Sequence, residues 1–600
     1  MTEEKTIEGI PALKHGANEK TAHCFARIFR LHVIRKGIEM PTQIYDAVIV
    51  GSGATGGWAA KELCEKGMKV LLLEAGRKLD PSKDFTEHVW PYELRYEGLR
   101  RSQELARQQP IQRRCYACDE YSGHFFVKDT ENPYTTAEGK PFSWIRGRHV
   151  GGRTLMWGRQ SYRLSNYDLK AASHDGFGMD WPISYEELAP YYDKVEEYIG
   201  VSGSYEKLPQ LPDGKFLPPM NFTCGERLLK KAVDKMPGRR MTIGRVAMLT
   251  RDHNGRPKCH YCGHCERGCT TASYFSSPSS TIPAAMASRN LTLEPHSVVH
   301  KVLVDENGKP KGVEVVDELT GQTREAFGKV VILCASTLES TRIMLNSASR
   351  RHPNGLANNS GVLGHYLVDH IYDVTVMGIL PNLAGKPKQW EDARNNGIYI
   401  PRYRNLGARE KDFIRGYGYQ GGSGRGMFPA HARLMPGFGR DFKKIVRENW
   451  PMPVALYGFG EMLPRYENFV EIDKNRVDRW GIPVLRITCE HSDNERAMVR
   501  QIVADAQEML QAAGAEIVQV NDKAAEPGLG IHELGTCRMG DDPQRSVLNK
   551  FNQAHDLKNL FVMDGGAFVS QGCQNPTLTM MALTVRACEY LVEEYKRGNL

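Results

Sequence analysis

No stretch of this 600-residue chain approaches the ~18 to 20 apolar residues that cross a membrane as a helix. A secretory signal is missing from the start as well. The opening "MTEEKTIEGIPALKHGANEK" is polar and begins acidic, whereas a signal needs a basic end followed by an apolar run. Internal repeats and low-complexity tracts are absent, which sets aside repeat arrays. No Arg/Lys-rich block interleaved with aromatics occurs, and a net charge of +8 is modest for this length, so nucleic acid is not an expected partner. The 14 cysteines lack the even spacing of a small disulfide scaffold.

What is there reads as a folded enzyme, with 41% hydrophobic and 25% charged residues. Six hundred residues exceed what one hydrophobic core usually supports, so two or more intertwined units are expected. The segment "AHCFARIFRLHVIRKGIEM" is basic and partly amphipathic, and residues 1–40 are read as a docking segment rather than a membrane contact.

From Tyr45 to Gly76, "YDAVIVGSGATGGWAAKELCEKGMKVLLLEAG" predicts an apolar strand, a glycine turn, an amphipathic helix and a second apolar strand. Gly51, Gly53 and Gly56 fit G-x-G-x-x-G. The first glycine permits the turn, the second lets backbone approach a pyrophosphate, and the third lets helix pack on strand. Glu74 ends the second strand, where a carboxylate accepts from a ribose hydroxyl. This βαβ context reads as dinucleotide binding. Further on, "RGRHVGGRTLMWG" at 146–158 forms a second glycine turn, and Ser184 with Glu187 makes a capping box. Asn307-Gly308 marks a hairpin, "KVVILCAS" a buried strand, and Ser492 with Glu495 the start of another helix. Between 360 and 490 irregular strands rich in Gly and Pro suit a substrate-side sheet.

Taken in order, the motifs make the chain resemble the glucose–methanol–choline (GMC) family of flavin oxidoreductases. They are "GSGATGG" with Glu74, "GRHVGGRTLMWG", "ASTLESTRIMLNS", "GVLGHYLVDH", "WGIPVLRI", and the terminal "HELGTCRMG", "LFVMDGGAF" and "QNPTLTMMAL". The resemblance implies an α/β (α+β) fold: a Rossmann-like FAD-binding domain interleaved with a substrate domain on an antiparallel sheet. The FAD domain is expected over 41–160, 250–350 and 530–600, with a cysteine loop at 255–272. The substrate domain is expected over 161–249 and 351–529.

By the same resemblance, Gly51, Gly53, Ala54, Thr55, Gly56 and Glu74 hold the ADP half of FAD. Gly151 and Gly152 pass near the flavin, Asp564 and Gly565 lie along the ribityl chain, and Pro576 and Thr577 belong to the cofactor site. For Asp564 the plainer reading is a turn residue. On its own, His532 in "IHELGTCRMG" reads as a buried polar or surface residue; the family pattern makes it the catalytic base, paired with Asn575. Oxidising a carbinol sends hydride to flavin N5 and the hydroxyl proton to a base. Histidine takes that proton near neutral pH, while an amide can orient the oxygen but not replace the base. Relatives resembling pyranose oxidases carry a flavin-linking histidine before the tryptophan of the second glycine turn. Met156 precedes Trp157 here, so noncovalent FAD is expected.

"PKCHYCGHCERGC" places Cys259, Cys262, Cys265 and Cys269 at C-x2-C-x2-C-x3-C, a ferredoxin-like run. Structural zinc is the plainer alternative, but zinc sites more often separate two knuckles by a long gap. An iron–sulfur cluster, 4Fe-4S or 3Fe-4S, is expected. Its fourth ligand is open between Cys269 and a distant thiol, Cys115 or Cys118. A cluster favours a dehydrogenase passing single electrons to a cytochrome or quinone. The run resembles large flavoprotein subunits of bacterial sugar dehydrogenases of the glycoside 3-dehydrogenase and gluconate type. The expected function is oxidation of a secondary sugar or glycoside hydroxyl, best placed at C3, with a small partner subunit and a cytochrome c or other acceptor. Periplasmic location by co-export is expected, with cytoplasmic as the alternative. Rival readings are a sugar-acid or polyol dehydrogenase, an oxygen-using GMC oxidase with a structural metal, and a non-catalytic electron-transfer flavoprotein.

Overall fold

The strand Ile44–Val50 carries no polar alternation beyond its start, and from Ala47 on every residue is buried. Val70–Leu73 is buried throughout. Such runs are covered on both faces, the condition for parallel pairing. The computed structural model, which describes residues 43–90, 93, 102–387, 394, 396–423, 436–449 and 452–600, shows that pairing. The 1–40 docking segment lies outside the described residues.

Five segments run parallel in one sheet: Leu291–Glu294, Val70–Leu73, Ile44–Val50, the second half of Thr323–Leu333, and Leu560–Val562. The first half of Thr323–Leu333 instead pairs antiparallel with Pro310–Asp317, which pairs with Ser297–Val304 across the predicted Asn307-Gly308 hairpin. The helix Ala54–Glu65 follows the first strand, and the C-terminal helix Thr577–Lys596 packs on it and on Tyr185–Ile199. The capping boxes predicted at Ser184/Glu187 and Ser492/Glu495 open Tyr185–Ile199 and Asp493–Ala512.

A second, six-stranded sheet is antiparallel throughout. Its order is Glu516–Asn521, Ile371–Ile379, Pro453–Gly460, Tyr417–Ser423, Ile398–Ile400 and Thr242–Ile243. Helix Asp493–Ala512 covers it with Met498, Ile502, Met509 and Leu510 in the shared core. A three-stranded sheet joins Phe469–Val477, Pro483–Thr488 and Thr135–Thr136. All three sheets lie in one compact unit, Ile44–Leu600. Gly51, Glu74, Cys334 and Met563 directly follow the carboxyl ends of four of the parallel strands. Ligands of open α/β sheets bind beyond such carboxyl ends, so the fold itself points to the site.

Candidate active site

Gly51 has φ +96°, and a Cβ there would sit 2.5 Å from the Cys334 carbonyl oxygen, so the turn admits only glycine. A Cβ at Gly56 would collide with the Gly51 carbonyl, which is how the helix comes so near the strand. Around Gly53, by contrast, an added Cβ would meet nothing within 4 Å. Gly53 is also the N-cap of Ala54–Glu65, and no side chain caps that helix end. The backbone N–H groups there are left for a ligand, and a helix N-terminus favours an anion such as a pyrophosphate.

The space beyond is a cavity of about 560 Å³. Its wall contains Gly51, Gly53, Ala54, Thr55, Glu74, Gly152, Asp564, Gly565, Pro576, Thr577, His532 and Asn575. Gly56 and Gly151 stand behind it and shape the two turns. These residues fit a dinucleotide: an open glycine, an uncapped helix end, and a carboxylate at the neighbouring strand end. Glu74 already accepts from Ser52 N (3.1 Å), Ser52 Oγ (2.6 Å) and Gly76 N (3.0 Å). A carboxylate has about four acceptor positions, so one remains for a ribose hydroxyl. Ser52 also accepts from Gly151 N at 2.9 Å, joining the two glycine turns, a role sequence reading missed. Asp564 stands at both the cavity and the turn that follows it. It lines the cavity and caps the turn Gly565–Ala567 through Gly566 N at 2.9 Å. Burial raises its pKa to about 6 against a 2.5 Å hydrogen bond from Ser340.

At the other end of the cavity, His532 Nε2 lies 3.3 Å from Asn575 Nδ2. Gln420 Nε2 donates to Asn575 Oδ1 at 2.6 Å, turning the NH2 toward the imidazole. Burial first, then the charge neighbours His370 and Arg153, hold His532 well below the usual histidine pKa. The imidazole is therefore neutral at physiological pH. Arg153 donates to Glu533 Oε2 at 2.8 Å and reaches the same wall. Tyr372, Tyr457 and Phe459 line the cavity near the imidazole, the Phe459 ring 6.3 Å from it. Tyr116, Gln160, Glu266 and Asn396 add hydrogen-bonding groups. Tyr116 exposes 55% of its surface, and part of that exposure faces this cavity.

The backbone around His532 is held by Asp369. Its buried carboxylate accepts from Gly528 N (2.7 Å), Gly530 N (2.9 Å) and His532 N (2.9 Å). Burial and the nearby Glu533 push its pKa up to about 7, against the pull of those donors. Asp369 and His370 belong to "GVLGHYLVDH", but nothing in their spacing assigns them a role. Gln420 carries no sequence signal at all.

Cys259, Cys262 and Cys269 are half-buried and Cys265 is buried, on the loop that also carries the short turn Cys265–Arg267. Among the described residues no group of three or more His, Cys, Asp or Glu is placed to hold a metal ion, and none of the cysteines is in a disulfide. The run therefore does not present a gathered ligand set. Burial pushes the Cys259 thiol up to about 12 and holds that of Cys265 well above its usual value. The alternative ligand Cys115 instead lines the cavity, with Cys118 buried beside it.

Among the described residues no helix is long and apolar enough to cross a membrane. Residues 45–372 and 464–584 match the N- and C-terminal GMC oxidoreductase families. A 2-methyl-1,2-propanediol dehydrogenase of Mycolicibacterium austroafricanum is 30% identical, covering 92% of this chain and 95% of its own. The fructose dehydrogenase large subunit of Gluconobacter japonicus is 27% identical over 92% and 98%. A crystal structure of pyridoxine 4-oxidase from Mesorbium loti superposes with a TM-score of 0.58 at 17% identity, over 92% of this chain and 99% of that one.

Proposed function

The chain belongs to the GMC oxidoreductase family, an FAD enzyme acting on CH–OH donors, and from that membership we propose that it dehydrogenates a secondary hydroxyl of a sugar or glycoside. The observation that carries this reading is the His532–Asn575 pair on the wall that also contains Gly51, Gly53, Ala54 and Thr55. Gly51, Gly53, Thr55, Glu74, Gly152 and Asp564 would hold FAD, which when bound supplies the hydride acceptor. The protein's own part is proton handling. A hydroxyl placed between the pair donates its proton to His532 Nε2 and accepts from Asn575 Nδ2. Gln420 keeps that amide from turning its oxygen inward.

Polar groups at the substrate end support a polyhydroxy donor, as do the relatives, named for a diol and for fructose. Placing the oxidation at C3 of a glycoside rests on the strings "HYCGHCERGC" and "HVGGRTLMWGRQSYRLS". One relative is a large subunit, which supports a small partner subunit and a cytochrome c or other acceptor here, with export alongside that partner. An iron–sulfur centre on Cys259, Cys262, Cys265 and Cys269 rests on spacing alone, so no electron path is built on it. A dye-linked screen over free sugars, glycosides, sugar acids and polyols, with the new carbonyl located by NMR, tests the proposal. Failure of every such donor to reduce the flavin would sink it.

A further inference from the structure

His370 lies opposite His532, and the backbone explains why. Val368 and Leu534 exchange both N–H···O bonds, at 3.1 and 3.0 Å. His370 and His532 each lie two residues beyond this isolated antiparallel bridge, which places them opposite one another. Their Nδ1 atoms are 3.0 Å apart and their rings meet edge to face at 4.8 Å. Two nitrogens at that distance need one proton between them, and the geometry says whose it is.

The Nε2 of His370 is 3.0 Å from the carbonyl of Gly572. A carbonyl can only accept, so this nitrogen carries the ring's hydrogen. His370 is 1% exposed, and burial lowers its pKa to about 3, so the ring is neutral and its Nδ1 keeps a lone pair. That lone pair accepts from His532 Nδ1–H, which leaves His532 Nε2 bare toward Asn575 Nδ2 and the cavity. One immovable carbonyl thus sets the direction of every bond from Gly572 through His370 and His532 to Asn575 and Gln420.

Gln571 shares that lone pair, its NH2 lying 2.8 Å from His370 Nδ1. The reversed amide would place its oxygen 3.0 Å from the His370 backbone N–H, an attractive contact taken alone. It would also demand a proton on His370 Nδ1, leaving a bare Nε2 against the Gly572 carbonyl. The Gly572 carbonyl cannot donate, so the first orientation holds; it sets the Gln571 NH2 3.0 Å from the His370 backbone N–H, which bonds to the Asp369 carboxylate instead.

The neighbouring backbone is strained. Ile531 has φ +63°, an uncommon region for any side chain and a costly one for a β-branched residue. Such a conformation persists where the surroundings over-determine it. Here Asp369 grips the N–H groups of Gly528, Gly530 and His532 on both sides of Ile531.

We propose that Asp369 and His370 are the positioning residues of the base: Asp369 fixes where the His532 backbone stands, and His370 fixes which ring nitrogen of His532 is free. This rests on His532 being the base. During turnover the Nδ1 hydrogen stays on His532 and the substrate proton is taken at Nε2.

Two substitutions separate this role from a merely structural one. In His370→Asn the amide oxygen takes the place of Nδ1 and keeps the acceptor, while the bond to Gly572 is lost. In His370→Gln the amide nitrogen takes the place of Nε2 and keeps that bond, while the acceptor is lost. Stopped-flow flavin reduction is expected to stay within a few-fold of the parent in His370→Asn. In His370→Gln it is expected to fall on the order of 10²-fold with KM little changed, the scale of losing general-base help or its tautomer. Nitrogen-15 spectra of histidine-labelled, flavin-loaded protein, assigned against His532→Ala, should show an unprotonated Nε2 on His532 in the parent and in His370→Asn only. The opposite ranking of the two variants, or an unprotonated His532 Nε2 persisting in His370→Gln, overturns the proposal. Unimpaired reduction in His532→Ala would instead remove the base itself, while the spectra would still report the tautomer.

Discussion

A buried histidine near an arginine is an unusual candidate for a base, because burial and that positive charge disfavour its charged form. The sign is clear: a depressed pKa keeps the imidazole neutral to lower pH than usual. Flavin reduction at saturating substrate is therefore expected to show no acid limb between about pH 8 and the ordinary histidine range near 6.5, and to fall only at more acid pH. A limb centred on 6.5 in stopped-flow rates would contradict this. Replacing the residue is a stronger test. His532→Ala should slow flavin reduction by about 10²-fold or more while the protein stays yellow, since no described contact of the imidazole holds the dinucleotide loop. Asn575 cannot compensate, because an amide has no basic lone pair at neutral pH.

At the scale of elements, the decisive unit is strand, turn and helix from Ile44 to Glu65. The helix approaches so closely that Gly56 leaves no room for a side chain against Gly51. Gly56→Ala is expected to push the helix end away from the strand and cost the protein its flavin. The ratio of flavin to protein absorbance after purification measures this, and a full flavin complement would show that the turn relaxes. Ser52 extends the same unit, since its hydroxyl ties Gly151 to Glu74 and sets the second glycine turn against the first.

At the scale of the molecule, the cavity is walled by carboxyl ends of the parallel sheet on one side and by Gln420, Tyr457 and Phe459 of the antiparallel sheet on the other. Met156 reaches that wall where a linking histidine would be needed. Acid precipitation is expected to release all the flavin as free FAD, and flavin retained in the pellet would refute noncovalent binding. The cysteine loop gives a separate prediction. If its spacing reflects a cluster, anaerobically purified protein contains iron and acid-labile sulfide, and Cys262→Ser loses both while substrate still reduces the flavin. Stoichiometric zinc without iron would move the reading to an oxygen-using oxidase.

Much of this architecture is legible in one dimension because its causes are local. The apolar runs at 44–50 and 70–73, the glycines between them and the box at Ser184/Glu187 depend on residues a few positions apart, and the helices and strands follow. His532 and Asn575 stand out as a candidate pair only through a family pattern, as neither has a local signature of chemistry. Their partners were not identifiable even so. Gln420 meets Asn575 across 155 residues, and Asp369 and His370 meet His532 across 163 and 162. Which ring nitrogen is bare depends on a carbonyl at Gly572, and carbonyls are the same at every position of a sequence. The residues that can take a proton were written in the chain; which atom takes it was decided only when the fold set one backbone oxygen against one imidazole.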